Sequence, residues 1–434
     1  MIPPVLRKAL LLGLVASRAS AESVPAREPE LPTGSAVVVG ERPAATQSAF
    51  CSPKRPVCAH GSDGAAALRA LAALEDAYEK LVFGLGLPPP RADEGRGGTD
   101  ALDAYVTAPG TPFAADSDAP AHGLFSSTSA FCRLPLDEPP LLLRSAVLCV
   151  GEAIAVGLDA SEAPFTRRAF ATSLWWLVGT PTVLDLEAID AVQRTPELAI
   201  GAGDVDTRSE GAALFFSYLE QALGAGEPGE LSASLLSAAA SPYPRGPSYD
   251  NEPDTFDVLR HTVDGRFAFA RLMSDFAVSR AFLGDREDGQ HLPLLAWAGS
   301  FGRARFDWVI PFSSLPRRVS IHPAIDSTGS VLVWLDLDKV PERAALGFQA
   351  EWEAPVSFHW QLVRVGEHGE ELGRIPVVFE DRSTLVEATV GHLAGTRAVL
   401  AVGTNLETVA LDHPFDPDVR PFEPHGLTVY FAAL

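Results

Sequence analysis

Residues 141–158, LLLRSAVLCVGEAIAVGL, keep an apolar surface through several helical turns, with Arg144 and Glu152 as the only charges. A helix of that composition is apolar on most sides, so the rest of the chain must be built around it. The carboxylate near its centre needs a reason. Leaving an ionised Glu in an apolar interior without a partner is costly, so Glu152 must be hydrogen-bonded, paired, protonated, coordinated or facing a wet cleft. After a DASEAPFT break, a second apolar helix is expected over 167–178, where Trp175 and Trp176 add two large surfaces.

One known use for a Glu inside a buried helix is the HExxH arrangement, in which two His one turn apart hold zinc and the Glu polarises a water. On that template this chain reads Gly151, Glu152, Ala153, Ile154, Ala155. The Glu is kept and both ligand positions are empty of donors. Neither Gly nor Ala has a side-chain lone pair, so this helix cannot hold zinc in that way.

The chain of 434 residues begins as an exported protein does. Arg7 and Lys8 precede an apolar run over 9–16, and Ala19, Ser20 and Ala21 form a small-residue cleavage site. Residues 1–21 therefore read as a signal peptide cleaved near Ala21, whose apolar run is too short to span a membrane. Losing Arg7, Lys8 and Arg18 with no acid takes the net charge from −22 to −25. So acidic a chain repels nucleic acid and anionic lipid, and neither nucleic acid nor a membrane span is expected. The roughly 410 remaining residues suggest two domains. In an exported protein four Cys read as disulfides, with the local pairings Cys51–Cys58 and Cys132–Cys149 favoured among three.

Residues 22–62 are rich in Pro, Ala and Ser and read as a loosely packed N-terminal extended segment with one strand-like run at 36–39. From 63 to 83 apolar residues recur at helical spacing, and a Pro/Gly loop follows. A short strand is expected at 101–107, with a second extended run at 124–132 as a sheet edge. From 141 to 285 the pattern is helical almost throughout. From 304 the period becomes two, and nine strand-like runs between 305 and 432 predict an antiparallel β-sandwich over 312–434. The expected fold class is α+β, with a mostly helical domain at 63–311 before the sandwich.

The order of motifs resembles secreted bacterial zinc metalloproteases of the HExxH type. Gly97, Gly98, Asp100, Asp103 and Tyr105 match a GG-x-D-x-x-D-x-Y strand motif, and Gly211, Leu214, Phe215, Phe216, Tyr218 and Leu219 match a G-x-x-L-F-F-x-Y-L helix core. Between them Trp175, Trp176, Leu177, Val178 and Gly179 stand where that family has W-x-x-E-G, with Val178 at the third ligand position. The resemblance covers about residues 63–285 and implies a zincin-like fold. It also implies an edge strand that pairs with substrate backbone. With Gly151, Ala155 and Val178 at all three ligand positions, it implies a pseudo-peptidase with no metal and no cofactor.

The other chemistries are weaker. The ten His are scattered, none within three to five residues of another. His413, Asp416, Asp418 and His425 lie in a run with four Pro that reads as a rigid loop. Ala298 to Gly302 imitates a serine-hydrolase elbow without the strand and helix such an elbow needs. Residues 284–290, GDREDGQ, read as a solvated loop. Trp175 and Trp176 are either core or the wall of a cleft. The expectation is an exported protein, secreted or held in the periplasm or envelope, that binds a protein or peptide along a cleft beside Glu152, Trp175, Trp176 and Tyr105 without cleaving it. The alternatives are an active zinc metallopeptidase with a non-standard ligand set and a structural cell-envelope protein.

Overall fold

The computed structural model describes residues 40–44, 48–118, 127–160, 162–201, 204–224, 226–240, 254–262, 266–338, 344–353, 356–377, 383–408 and 425–434. The signal peptide, the run at 36–39 and the residues His413, Asp416 and Asp418 lie outside these. The chain divides into two compact units, one of residues up to 185 with 203–263, the other of 186–202 with 264–434. The boundary expected at 311/312 lies inside the second unit.

The first unit holds a five-stranded mixed sheet in the order β1-β2-β3-β5-β4, from β1 (Ser48–Cys51), β2 (Val57–Gly61), β3 (Leu102–Thr107), β4 (Ala114–Ser117) and β5 (Ala130–Pro135). β2, β3 and β5 run parallel, while β1 and β4 pair antiparallel at the two edges. Segment 22–62 thus contributes two strands. Its composition hid them because Pro and Ser fill the turn, while Cys51 and Cys58 sit opposite each other in register and are disulfide-bonded. The run at 124–132 was expected to be an edge; instead β5 is interior and the edge is β4. Helix α1 (Gly64–Tyr78) starts at Asp63, whose side chain accepts from Ala65 N, and buries Ala67, Ala70, Leu71, Leu74, Ala77 and Tyr78.

Helix α2 (Pro139–Leu158) is buried at 142 and throughout 144–156. By length and composition it could cross a membrane, yet 78% of its most apolar window is buried inside the fold. Cys149 is joined to Cys132 of β5, so α2 is a core helix. It packs on α3 (Pro164–Val178), with Gly151 at the crossing. A Cβ on Gly151 would lie 3.0 Å from the Cβ of Ala171 and 3.1 Å from its Cα. Helices α4 (Val183–Arg194), α5 (Thr207–Gly211), α6 (Ala213–Ala222), α7 (Glu230–Ala239) and α8 (Thr255–Thr262) follow.

The second unit is a β-sandwich with helix α9 (Arg266–Ala281). One sheet has the order β11-β10-β13-β8-β6, from β6 (Trp308–Pro311), β8 (Ser330–Asp336), β10 (Val356–Gly366), β11 (Glu371–Val377) and β13 (Thr396–Thr408). The other has the order β12-β9-β14-β7, from β7 (Arg317–Ile325), β9 (Leu346–Trp352), β12 (Leu385–Val390) and β14 (His425–Ala433). Inward residues of both sheets, among them Phe348, Trp352, Phe358, Trp360 and Phe431, form one core. All nine strand-like runs are strands, but β6 pairs parallel with β8, so the sandwich is not wholly antiparallel. The outer face of the first sheet is apolar at Leu332, Val363, Leu400 and Val402 and is covered by Ala277, Val278, Ala281 and Phe282. That is why these strands read as continuous apolar runs. Segment 193–200 is stitched onto the sandwich by Asp326 N to Glu197 O (2.8 Å), Ser330 N to Pro196 O (2.7 Å) and Arg305 N to Gln193 O (2.9 Å).

Candidate functional site

Glu152 is buried in α2, and its carboxylate accepts a hydrogen bond from Arg168 Nε. Arg168 sits on α3 because the sequence places RR one turn into a helix that packs directly on α2. Its Nη1 donates to Glu210 Oε1 (3.2 Å), and Phe113, just before β4, stacks over the guanidinium at 4.7 Å. Glu210 accepts on its other oxygen from Arg144 Nη2 (2.6 Å), and Arg144 Nε donates to Asp185 Oδ1 (3.0 Å). The two charges that interrupt the apolar helix, Arg144 and Glu152, are therefore two links in one chain: Glu152, Arg168, Glu210, Arg144, Asp185.

Asp185 closes that chain. Its Oδ1 also accepts from Trp176 Nε1 (3.1 Å), and its Oδ2 accepts from Trp175 Nε1 (3.0 Å), Thr182 N (2.7 Å) and Thr182 Oγ1 (2.8 Å). Burial pushes its pKa up, but Arg144 and these donors outweigh burial and hold the carboxyl below the usual range. Burial pulls the Arg144 and Arg168 guanidiniums down, and their carboxylate partners raise both above the ordinary value. The neighbouring Arg167 donates Nη1 to Ala160 O (2.8 Å), and burial lowers its pKa.

The sign at Asp185 fixes a prediction. A depressed folded pKa adds stability that is present above the unfolded value near 3.9 and is lost as pH falls through the folded one. Asp185→Asn should remove that acid limb and cost about 2–4 kcal/mol, because an amide NH2 then faces donors. Thermal unfolding followed from about pH 2 to 6 checks it; a variant that keeps the limb would refute the assignment.

The expected cleft residues thus fall in the core. Trp175 and Trp176 are 2% and 9% exposed and serve Asp185 rather than a cleft. Tyr105 stacks on His60 at 4.8 Å and meets Phe131 edge-on. Gly151 and Ala155 are buried in α2, and Val178 ends α3. These side chains offer zinc no donor, and the nearest partner of Glu152 is a cation. The residues present do not fit an HExxH zinc centre. Among the described residues no group of three or more His, Cys, Asp and Glu could hold a metal ion. His425 Nδ1 lies 3.7 Å from Glu353 Oε2.

The GG-x-D-x-x-D-x-Y motif serves a second network. Arg42 bonds Asp93 (2.7 Å), Asp103 and Asp118 at once, and its Nη1 also donates to Arg96 O (3.1 Å). His60 Nε2 meets the other oxygen of Asp103 at 2.7 Å. A Cβ on Gly97 would fall 1.6 Å from Asp103 Oδ2, so only glycine lets the loop close over this carboxylate. The helix-core motif is packing: Phe215 stacks on Phe256 at 5.4 Å and Phe216 meets Phe170 edge-on. In the second unit, Asp288 of the supposed solvated loop is buried against His291. The elbow-like Ser300 lies in a 3-10 stretch, Pro293–Gly302. Sequence reasoning missed Arg42, Arg168 and His291, whose partners include Asp103, Glu152 and Glu371, all far off in sequence; only a lone charge in an apolar setting could have signalled them.

No protein-family model matches the chain. No curated protein matches it either. Among solved structures it is similar to the pre-peptidase C-terminal domain of a collagenase from Bacillus anthracis, at 9% identity and a TM-score of 0.20, over 30% of this chain and 99% of that one. A likeness that low carries no argument. What stands is a mixed α/β chain with a β-rich C-terminal unit and two disulfides, which suit an oxidising, extracytoplasmic setting.

Proposed function

We propose that this is an exported, non-catalytic metallopeptidase-like protein, whose first unit keeps a zincin-like scaffold and binds a protein or peptide segment instead of cutting one. The observation that carries the reading is the bond from Arg168 to Glu152. The carboxylate that would polarise a water is neutralised by a guanidinium, itself held by Glu210 and Phe113. The succession of helix, strands with an antiparallel outer strand, and buried helix supports the scaffold. Strand β4 supplies the docking edge. Asp118 N bonds inward to Ser129 O, so Ala115 and Ser117 turn their backbone groups outward; Ser117 O is taken by Gly40 N at 2.9 Å, which leaves the Ala115 end as the docking edge. An extended segment adds there through main-chain hydrogen bonds. Cleavage near Ala21 would release the chain to the medium or leave it in the envelope, a setting the two disulfides suit.

Two measurements test this. Metal analysis of the purified, disulfide-bonded chain should find no stoichiometric zinc and no peptide hydrolysis; one zinc per chain, with hydrolysis abolished by Glu152→Gln, would overturn the reading. Ala115→Pro removes one outward N–H from an edge strand, where proline is tolerated. It should abolish peptide capture while shifting stability by less than about 1 kcal/mol.

A further inference from the structure

The second unit carries a buried histidine that no functional reading has used. His291 Nδ1 lies 2.8 Å from Asp288 Oδ1 and its Nε2 lies 2.8 Å from Glu371 Oε2, while the ring stacks on Phe282 at 4.4 Å. A neutral imidazole has one N–H and satisfies one of these contacts; the other would set lone pair against lone pair. The side chains of His291 and Asp288 are 5% and 2% exposed, so water cannot fill the gap. Only the imidazolium donates to both carboxylates at once.

The surroundings hold a second partner for the same nitrogen. Arg374 Nη2 lies 3.0 Å from His291 Nε2, while Arg374 Nε donates to both oxygens of Glu371 (2.8 and 2.9 Å) and its Nη1 to Asp275 Oδ1 (2.7 Å). Gln361 Nε2 donates to that same Asp275 oxygen at 2.8 Å. Asp288 Oδ2 accepts the backbone N–H of Glu371 (3.0 Å), and its Oδ1 accepts from Gln290 N (3.0 Å). The charged groups facing the ring are thus Asp288 from its own segment, Glu371 and Arg374 from β11, and Asp275 from α9.

We infer that His291 is a proton-operated clasp. Protonated, it joins segment 284–292 to the β10–β11 hairpin through Asp288 and Glu371. Deprotonated at Nε2, it accepts from Arg374, Glu371 keeps Arg374 Nε but loses the imidazolium, and the hairpin end carrying Glu371 and Leu372 loosens. The direction follows from the groups around it. Burial alone would lower the His291 pKa, but the bonds to Asp288 and Glu371 overcome burial and raise it above its ordinary value. A raised folded pKa contributes stability in full below the unfolded value of about 6.5, and that contribution is lost as pH rises through the folded value.

Hydrogen exchange of the full chain at about pH 6 and pH 9, corrected for intrinsic rates, tests the clasp. Protection of 284–292 and 366–374 should fall roughly tenfold at the higher pH, with β8 and β13 unchanged. His291→Gln should show low protection at both pH values. Should that variant fail to fold, Glu371→Gln provides the second reading, because with one carboxylate gone the transition must move to lower pH. Protection that is flat with pH in the wild type, a neutral His291 ring by nitrogen chemical shift at pH 6, or a transition that Glu371→Gln leaves in place would each overturn it.

Discussion

Arg168→Met is expected to destabilise the first unit by about 3–5 kcal/mol, because it leaves Glu152 buried with its cation gone. For a unit of this size that is a fall in melting temperature on the order of 10 °C. Glu210 still holds Arg144 at 2.6 Å, so the damage concentrates on Glu152. Adding Glu152→Gln should therefore recover most of the loss, since two neutral groups replace a pair rather than strand half of one. Arg168→Lys should recover less, because an ammonium cannot reach Glu152 and Glu210 in the plane of one fork. The check is a double-mutant cycle by urea unfolding. An Arg168→Met variant within about 1 kcal/mol of wild type would show that Glu152 has another partner and would remove the observation on which the non-catalytic reading rests.

Arg42→Ala is the second large effect. One guanidinium sits among Asp93, Asp103 and Asp118, and burial already pushes Asp93 above the ordinary carboxylate range even with Arg42 opposing it. Removing the cation leaves three acids without their shared guanidinium, with His60 still on Asp103, at a cost of about 3–5 kcal/mol at neutral pH. The sign with pH is opposite to that of Asp185. Asp93, whose folded pKa is raised, destabilises above that value and stops doing so once protonated, so the penalty should shrink toward about pH 4. Urea unfolding of variant and wild type at pH 7 and pH 4 measures it; equal penalties at both would mean the three carboxylates are not facing one another's charge.

What the chain disclosed from its letters follows the range of the forces involved. The strands between 305 and 432 were legible because alternation is local, and α2 was legible because an apolar helix announces itself in one stretch. Both disulfides were legible because the partners are near in sequence. The parallel pairing of β6 with β8 was not, since the same alternation suits either direction. Strands β1 and β2 were masked by the Pro and Ser of their turn. Glu152 was recognised as needing a partner, yet nothing near it in sequence says that Arg168 is the one. Trp175 and Trp176 read as core or as a cleft wall, because an indole suits both; the hydrogen bonds to Asp185 decide for the core.

The crossing of α2 and α3 works as a ratchet. Even a methyl group at position 151 would press on Ala171, so an imidazole there cannot enter unless the facing helix first gives way. Gly151→His, Ala155→His and Val178→Glu together would supply the letters of a metal centre, while the first of them would wedge α2 and α3 apart. Acquiring such chemistry would demand thinning α3 before any ligand could be placed, an order of steps that single substitutions under selection for folding seldom find.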